Sequence, residues 1–286
     1  MQIELLALQP NYVGGMQMKA ALVEYAARNC YQSKQTTDDE SRAAFLKSLS
    51  DREHMSVFEH AWYTFRWDEP FHEAVQAYWP VRRGSVVTPC FGNGVLVSAN
   101  ARALKEMVGI NYVVTPTNPT GEPYLNLLGL NDITAEERYY HTYATFKISG
   151  VSITCERQMI RHRSLSFSNK SLRYVDVATT AEFRLPQTIA ENTEAIQVYL
   201  DATDHAKDAY DKMRELGIPK EDARFTLPLA TTTDMVVSGT YPALHHFIDL
   251  RTSSKAQWEI REVATEMRRM LSDSDPIFRW GLELRS

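Results

Sequence analysis

The densest run of reactive groups in the chain is Gln158-Met-Ile-Arg-His-Arg163, continued by Ser-Leu-Ser-Phe-Ser-Asn-Lys-Ser-Leu-Arg-Tyr174. It gathers three guanidiniums, an imidazole, an ammonium and several hydroxyls within seventeen residues. Guanidinium forks match phosphate and carboxylate because they donate parallel hydrogen bonds and stay charged. A hydroxyl-rich loop adds backbone N–H groups and side-chain donors around an oxyanion. If residues 154–163 are helical, Gln158, Arg161 and His162 share one turn and one face. The same run also fits a solvated basic helix end. Arg224 and Arg251 stand beside apolar runs, where an unpaired charge is costly and a bound anion or acidic partner relieves it.

A second group lies earlier, where His54 and His60 flank Ser56 and Glu59. A metal site there needs a third ligand, and His72 or His245-His246 are distant candidates; no metal is expected. Glu59 reads instead as a hydrogen-bond acceptor at a strand entrance. No G-x-S-x-G, Walker A loop or G-x-G-x-x-G is present, so those phosphate loops are not in use. Cys30, Cys90 and Cys155 form no metal spacing and cannot all pair within one chain, which predicts buried free thiols in a reducing compartment.

The elements that must position these groups follow from patterning. A strand is predicted over 3–8, broken by Pro10 and Gly14-Gly15, then a helix over 16–30. Residues 37–40 resemble a capping box opening a helix through 49. Strands are predicted over 62–67 and 143–148, the second ended by Gly150, with a helix between them at 100–107. Helices are predicted over 193–216, with Gly217 at its C-terminal cap, from Pro219, and over 255–271. Residues 80–136 are rich in Pro, Gly, Asn and Thr and read as an excursion from the main body. Val97-Ser-Ala-Asn-Ala-Arg-Ala-Leu104 aligns without gaps to Val237-Ser-Gly-Thr-Tyr-Pro-Ala-Leu244. A repeat, a shared strand-to-helix geometry and chance all account for eight residues.

Composition sets the background. The 286 residues carry 31 basic and 36 acidic side chains, a net charge of -5, so no global basic field exists to hold nucleic acid or an anionic membrane. No apolar run approaches the roughly 20 residues of a bilayer span, and the first residues do not read as a secretory signal. A cytoplasmic protein with no nucleic-acid or membrane partner is expected.

Taken in order, the blocks resemble the flavin-dependent thymidylate synthases, the ThyX family. Their R-H-R, seven residues, S signature is matched by Arg161-His162-Arg163 through Ser171, with Arg173-Tyr174 completing S-x-R-Y. Around it stand His54-x-Ser-x-x-Glu59-His60, Ala223-Arg-Phe-Thr-Leu-Pro228 and Arg251-x-x-x-x-Ala-Gln-Trp-Glu-Ile-Arg261. The resemblance implies an α/β (α+β) fold, one domain over 1–286 with a mixed or antiparallel sheet flanked by helices, and a homotetramer with active sites where subunits meet. It also implies conversion of dUMP to dTMP with methylenetetrahydrofolate as carbon donor, FAD as cofactor and NADPH as reductant. Gln158, Arg161, Asn169, Ser171, Leu172, Arg173 and Arg224 would hold dUMP. Arg251 would also bind it and act catalytically by stabilising negative charge on the pyrimidine. Ser56, Glu59, Arg161, His162, Arg163, Asn169 and His246 would contact FAD or shape its pocket.

The chain also departs from the family. Asn169 stands where many members have Glu or Gln, and Thr240, Pro242 and Lys255 stand where N-x-R and a His are common. Asn100-Ala-Arg102, in the excursion, shows that N-x-R pattern, so the excursion is expected to reach the flavin pocket or the subunit interface. Two other readings follow: a related FAD- and folate-dependent methylase or hydroxymethylase acting on UMP or dCMP, and a non-catalytic flavin, nucleotide or RNA binder. The last predicts steeply salt-dependent binding to long strands.

Overall fold

The strand-forming runs pair into two antiparallel sheets, and their middle strands are buried on both faces. The computed structural model describes residues 1–9, 15–36, 38–67, 85–89, 95–109, 111, 113–114, 133–178 and 181–283. The larger sheet has the order β1 (Gln2–Gln9), β5 (Tyr143–Ser152), β7 (Thr232–Thr240), β6 (Ser166–Asn169). The smaller has the order β2 (Trp62–Trp67), β4 (Val95–Asn100), β3 (Ser85–Pro89). Every described pairing between these strands is antiparallel, which fits the expected α/β class with an antiparallel sheet.

Each sheet has its own core. Under the larger sheet, α9 (Tyr241–Arg251) and α10 (Trp258–Ser274) bury Leu244, Phe247, Ile248, Ile260, Val263, Met267 and Leu271 against Phe146, Ile148 and Val237. Their three- and four-residue steps make one apolar stripe per helix. Under the smaller sheet, α1 (Gly15–Tyr31), α2 (Asp39–Asp51) and the 3₁₀ turn Met55–His60 pack Val23, Ala27, Leu46, Leu49 and Phe58 against Tyr63, Phe65, Val95 and Val97.

Several predicted boundaries shift. Helix α2 is capped by Asp38, whose carboxylate accepts from Ser41 N at 2.7 Å; Thr37 lies outside the described residues. Strand β5 runs through Gly150 instead of ending there, because Gly150 takes φ 69° at a register shift between Ile148 and Val151, a bulge that glycine accommodates. The helix predicted over 154–163 is shorter, α5 (Ile153–Met159). After it, His162 N bonds Met159 O and Leu165 N bonds His162 O, turning the chain into β6. Gln158 is therefore helical while Arg161 and His162 are not, and the expected single helical face is replaced by a turn. Cys155 is buried as expected, but Cys30 is only partly buried; Cys90 and His72 lie outside the described residues.

The similarity between 97–104 and 237–244 extends to three dimensions. β2 pairs with β4 from Trp62↔Asn100 to Trp67↔Val95, and β5 pairs with β7 from Tyr143↔Thr240 to Ile148↔Met235. The same spacing places Ala101 N on Ala61 O at 2.8 Å and Tyr241 N on Thr142 O at 2.9 Å, at the start of α3 (Ala101–Val108) and of α9. Buried Thr64 bonds Ser98 at 2.7 Å, and its counterpart Thr145 bonds Ser238 at 2.6 Å. Each serine also receives the histidine of the opposite unit: His60 Nδ1 meets Ser238 Oγ at 2.7 Å and His141 Nδ1 meets Ser98 Oγ at 2.9 Å. The counterparts Trp62 and Tyr143 pack ring to ring at 5.5 Å. The chain thus holds two strand–strand–helix units of matching register, each placing its histidine on the other's serine.

Candidate active site

The predicted site residues fall into three neighbourhoods. The first forms where α5 ends against the end of α9. Arg251 Nε donates to His162 Nε2 at 2.9 Å, and its Nη2 lies 3.4 Å from the carbonyl of Gln158. His162 is only 7% exposed, and Phe247 and His246 rings stand against it at 4.9 and 6.2 Å. Burial, then the Arg251 cation, then His246 push the His162 pKa down to about 4. At neutral pH the imidazole is uncharged, accepts at Nε2 and leaves Arg251 as the fixed cation. Arg161 and Arg163 are exposed beside it, and neither is ion-paired among the described residues.

What fixes this corner is the start of α5. Ser152 caps it, its hydroxyl accepting from Cys155 N at 3.1 Å. The buried Glu259 carboxylate accepts in turn from Ser152 N at 2.8 Å and from its hydroxyl. Glu259 belongs to the block that follows Arg251, so that block orients the helix leading to Arg161–Arg163 as well as contributing a guanidinium.

Asn169 and Ser171 leave the far end of β6. Asn169 Nδ2 donates to Glu156 Oε1 at 2.6 Å, while its buried Oδ1 has no partner among the described residues. Burial pushes the Glu156 carboxyl above its ordinary range. Ser171 N donates to Cys30 O at 2.9 Å, tying this segment to the end of α1. Arg173 and Arg224 form a second neighbourhood around Glu221. Arg173 Nε donates to the Glu221 carboxylate at 2.6 Å and Arg224 Nε to its carbonyl at 3.0 Å. Leu172 packs beside them with Val177 and Tyr210.

The third neighbourhood is a cavity of about 340 Å³ lined by Ser56, His54, Met55, Tyr31, Cys30 and Arg102, among others. Glu59 stands next to it and accepts from Arg102 Nη1 at 2.7 Å, the acceptor role read from the sequence. His60, one residue on, is fully buried and held between Ser238 and Ser168, with Nε2 at 2.9 Å from Ser168 Oγ. Burial pushes its pKa down to about 3. Its place is structural: it locks the 3₁₀ turn carrying Ser56 and Glu59 onto the larger sheet. Burial raises the Cys30 thiol, which keeps it in the unreactive form. Among the described residues no three His, Cys, Asp or Glu side chains group to hold a metal ion.

Among the described residues no hydrogen bond or ion pair directly joins the His162–Arg251 corner to Arg173, Arg224 or Ser56. Of the predicted set, Gln158, His162, His246 and Arg251 come together, as do Arg173 and Arg224. Sequence reasoning missed Glu259, Glu156 and the role of His60. Glu259 and His60 had a local signal, their places in the Trp258-Glu-Ile-Arg261 and His54-x-Ser-x-x-Glu59-His60 blocks; Glu156 had none.

One corner of this α/β chain sets the Arg251 guanidinium against a neutral histidine from a distant sequence block, a fixed positive charge that suits an anionic group. Comparison with known proteins sharpens that reading. The model of the thymidylate synthase complementing protein family matches residues 13–76 and 136–277, well over half the chain, and the chain belongs to that family. The match passes over residues 77–135, which hold β3, β4 and α3. A flavin-dependent thymidylate synthase of Thermococcus onnurineus is 36% identical over 149 residues, 49% of this chain and 60% of that protein. Those of Haloarcula marismortui and Geobacter sulfurreducens are 34% and 39% identical over 163 and 141 residues. These cover 48% and 49% of this chain and 66% and 61% of the relatives. The matched part of the chain therefore spans less than two thirds of each relative. No helix among the described residues is long and apolar enough to cross a membrane.

Proposed function

We propose that the protein is a cytoplasmic, FAD-dependent thymidylate synthase that methylates C5 of dUMP, taking the carbon from methylenetetrahydrofolate and the reducing equivalents from NADPH. The observation that carries this reading is the Arg251–His162 contact, which brings together the two most distinctive sequence blocks. Arg251 is held by a neutral imidazole and a carbonyl, so its positive charge is not offset at that point. Placed beside a pyrimidine ring, it stabilises the negative charge that develops as C5 attacks the carbon donor. It is the proposed catalytic residue.

Gln158, Arg161, Asn169, Ser171, Leu172, Arg173 and Arg224 are proposed to hold dUMP, with the arginines at its phosphate. Ser56, Glu59, Arg161, His162, Arg163, Asn169 and His246 are proposed for FAD. The residues present fit that group: the exposed Arg161 and Arg163 lack a carboxylate partner among the described residues, and a cavity of mixed polar and apolar lining opens beside Ser56. When bound, FAD supplies redox chemistry, carrying electrons from NADPH toward the transferred carbon. His162, neutral at working pH, adds no second cation beside Arg251 and keeps its guanidinium oriented. The separation of the three neighbourhoods within one chain supports a single-domain subunit assembled as a homotetramer, in which neighbouring copies complete each site.

The acceptor Oδ1 of Asn169, unpaired among the described residues, favours a second reading, a related methylase or hydroxymethylase whose pyrimidine nucleotide brings an extra donor, the 2′-hydroxyl of UMP or the exocyclic amine of dCMP. Purified protein incubated with FAD, NADPH and methylenetetrahydrofolate plus dUMP, UMP or dCMP separates the two. The first reading expects a flavin absorbance band and a product 14 mass units heavier from dUMP alone. Absence of flavin binding at micromolar protein removes both readings.

A further inference from the structure

Asn169 ends β6 opposite Met235 of β7, so the two side chains share one sheet face, and Thr233, two residues along β7, shares it too. Helix α5 lies on that face: its Cys155 and Met159 are buried in one cluster with Met235. From α5, Glu156 reaches across to Asn169, whose Nδ2 donates to Oε1 at 2.6 Å. The backbone that follows is pinned to other elements, where Lys170 N donates to Asp234 O at 2.7 Å and Ser171 N to Cys30 O at 2.9 Å. Asn169 is therefore fixed in place, and what is left to settle is which end of its amide points where.

Glu156 settles it. An ionised carboxylate accepts and cannot donate, so the NH2 end must face Glu156 and the carbonyl end must face away. Burial raises the Glu156 carboxyl, and both the Asn169 bond and the Arg157 cation oppose that rise. The carbonyl Oδ1 is buried without a partner among the described residues, and Thr233 Oγ1, on the same face, is unpaired there as well and does not meet it. An acceptor shielded from water and left unpaired is costly, so Glu156 holds the amide in an orientation that a donor from outside the chain relieves. The residues directly after Asn169 are Lys170, Ser171, Leu172 and Arg173, the last three proposed above to hold the nucleotide.

We propose that Glu156 is a positioning residue that sets nucleotide preference: by holding the Asn169 amide it presents Oδ1 as a fixed acceptor, which selects a pyrimidine nucleotide with an N–H or O–H donor at that point. This rests on the reading of Asn169 as a nucleotide contact. Glutamine at 156 keeps the size and removes the constraint, since its own amide can accept from Nδ2 or donate to Oδ1. Asn169 then turns either way, and the preference for a donor fades.

The test is calorimetric titration of the full chain, with FAD present, by dUMP, UMP and dCMP in turn. It compares the parent, E156Q, N169A and the double variant, with the melting temperature of each ligand-free protein. The expected result for E156Q is an affinity for the parent's preferred nucleotide lowered about tenfold, smaller changes for the other two, and unchanged melting. N169A should narrow the preference in the same way, and the double variant should lose no more than N169A alone, because Glu156 acts through that amide. No loss, equal losses for all three nucleotides, or losses that add in the double variant would overturn the assignment of Glu156 and leave the nucleotide reading standing. A loss in E156Q that tracks a lowered melting temperature would make Glu156 structural and overturn it too. A parent that binds none of the three nucleotides would remove the nucleotide reading of Asn169 and this assignment with it.

Discussion

The His162–Arg251 pair shows how one hydrogen bond sets the charge state of a site. An imidazolium could not accept from Arg251, and the cation in turn disfavours protonation, so the two groups enforce each other's state. Replacing Arg251 by Ala removes the second-largest cause of the depressed histidine pKa. The His162 ring should then titrate above about 4, part of the way toward its ordinary 6.5, as followed by NMR of the ring protons. The same variant should lose on the order of 10²-fold in methylation rate, the usual cost of removing one charge-stabilising donor. A rate close to the parent's would take the catalytic role away from Arg251.

At the scale of elements, the duplicated unit offers a comparison inside one chain. Gly239 occupies the position that Ala99 fills in the other copy. A methyl on Gly239 would meet Leu165 Cδ2 at 2.3 Å, whereas Ala99 is fully buried and accommodated. Glycine in a strand ordinarily weakens it, but here Gly239→Ala should destabilise the fold by about 1–3 kcal/mol through overpacking. Urea unfolding measures this, and an unchanged or higher midpoint would show that Leu165 yields freely. The elements legible in the sequence were those with local signals: the periodic α1, α2 and α10, and the helix Thr193–Glu215, closed by Gly217 at φ 81°. The arginine–histidine run was legible because its residues are contiguous. The end of α5 at Met159 was not, since no Gly or Pro marks it and the pairing of β6 with β7 pulls the chain out of the helix. The His60–Ser238 and Arg102–Glu59 contacts, 178 and 43 residues apart in sequence, left no local trace either.

Across the described residues, burial holds His60, His141 and His162 neutral. Burial is the leading cause for each, holding His60 near 3 and His141 and His162 near 4 against an ordinary 6.5. Between pH 6.5 and 4 the unfolded chain binds protons at these rings and the folded chain does not. Stability is therefore full above about 6.5 and falls as pH drops toward 4. Each ring adds to the fall, because it takes up its proton in the unfolded chain at a higher pH than in the folded one. Denaturant midpoints measured from pH 7 down to 4.5 should fall steeply, and a flat profile would mean that the imidazoles are hydrated. His60 and His141 each bond a serine of the opposite unit, so both sheets should unfold in one transition.

In the smaller sheet β4 is the middle strand, with β2 on one side and β3 on the other, and it falls within the stretch that the family match passes over. A surface loop can lengthen or shrink one residue at a time. A middle strand cannot, because a one-residue slip turns every side chain to the wrong face and would withdraw Ser98 from both Thr64 and His141. A one-residue change of length inside β4 therefore breaks its pairing with β2 and β3 together.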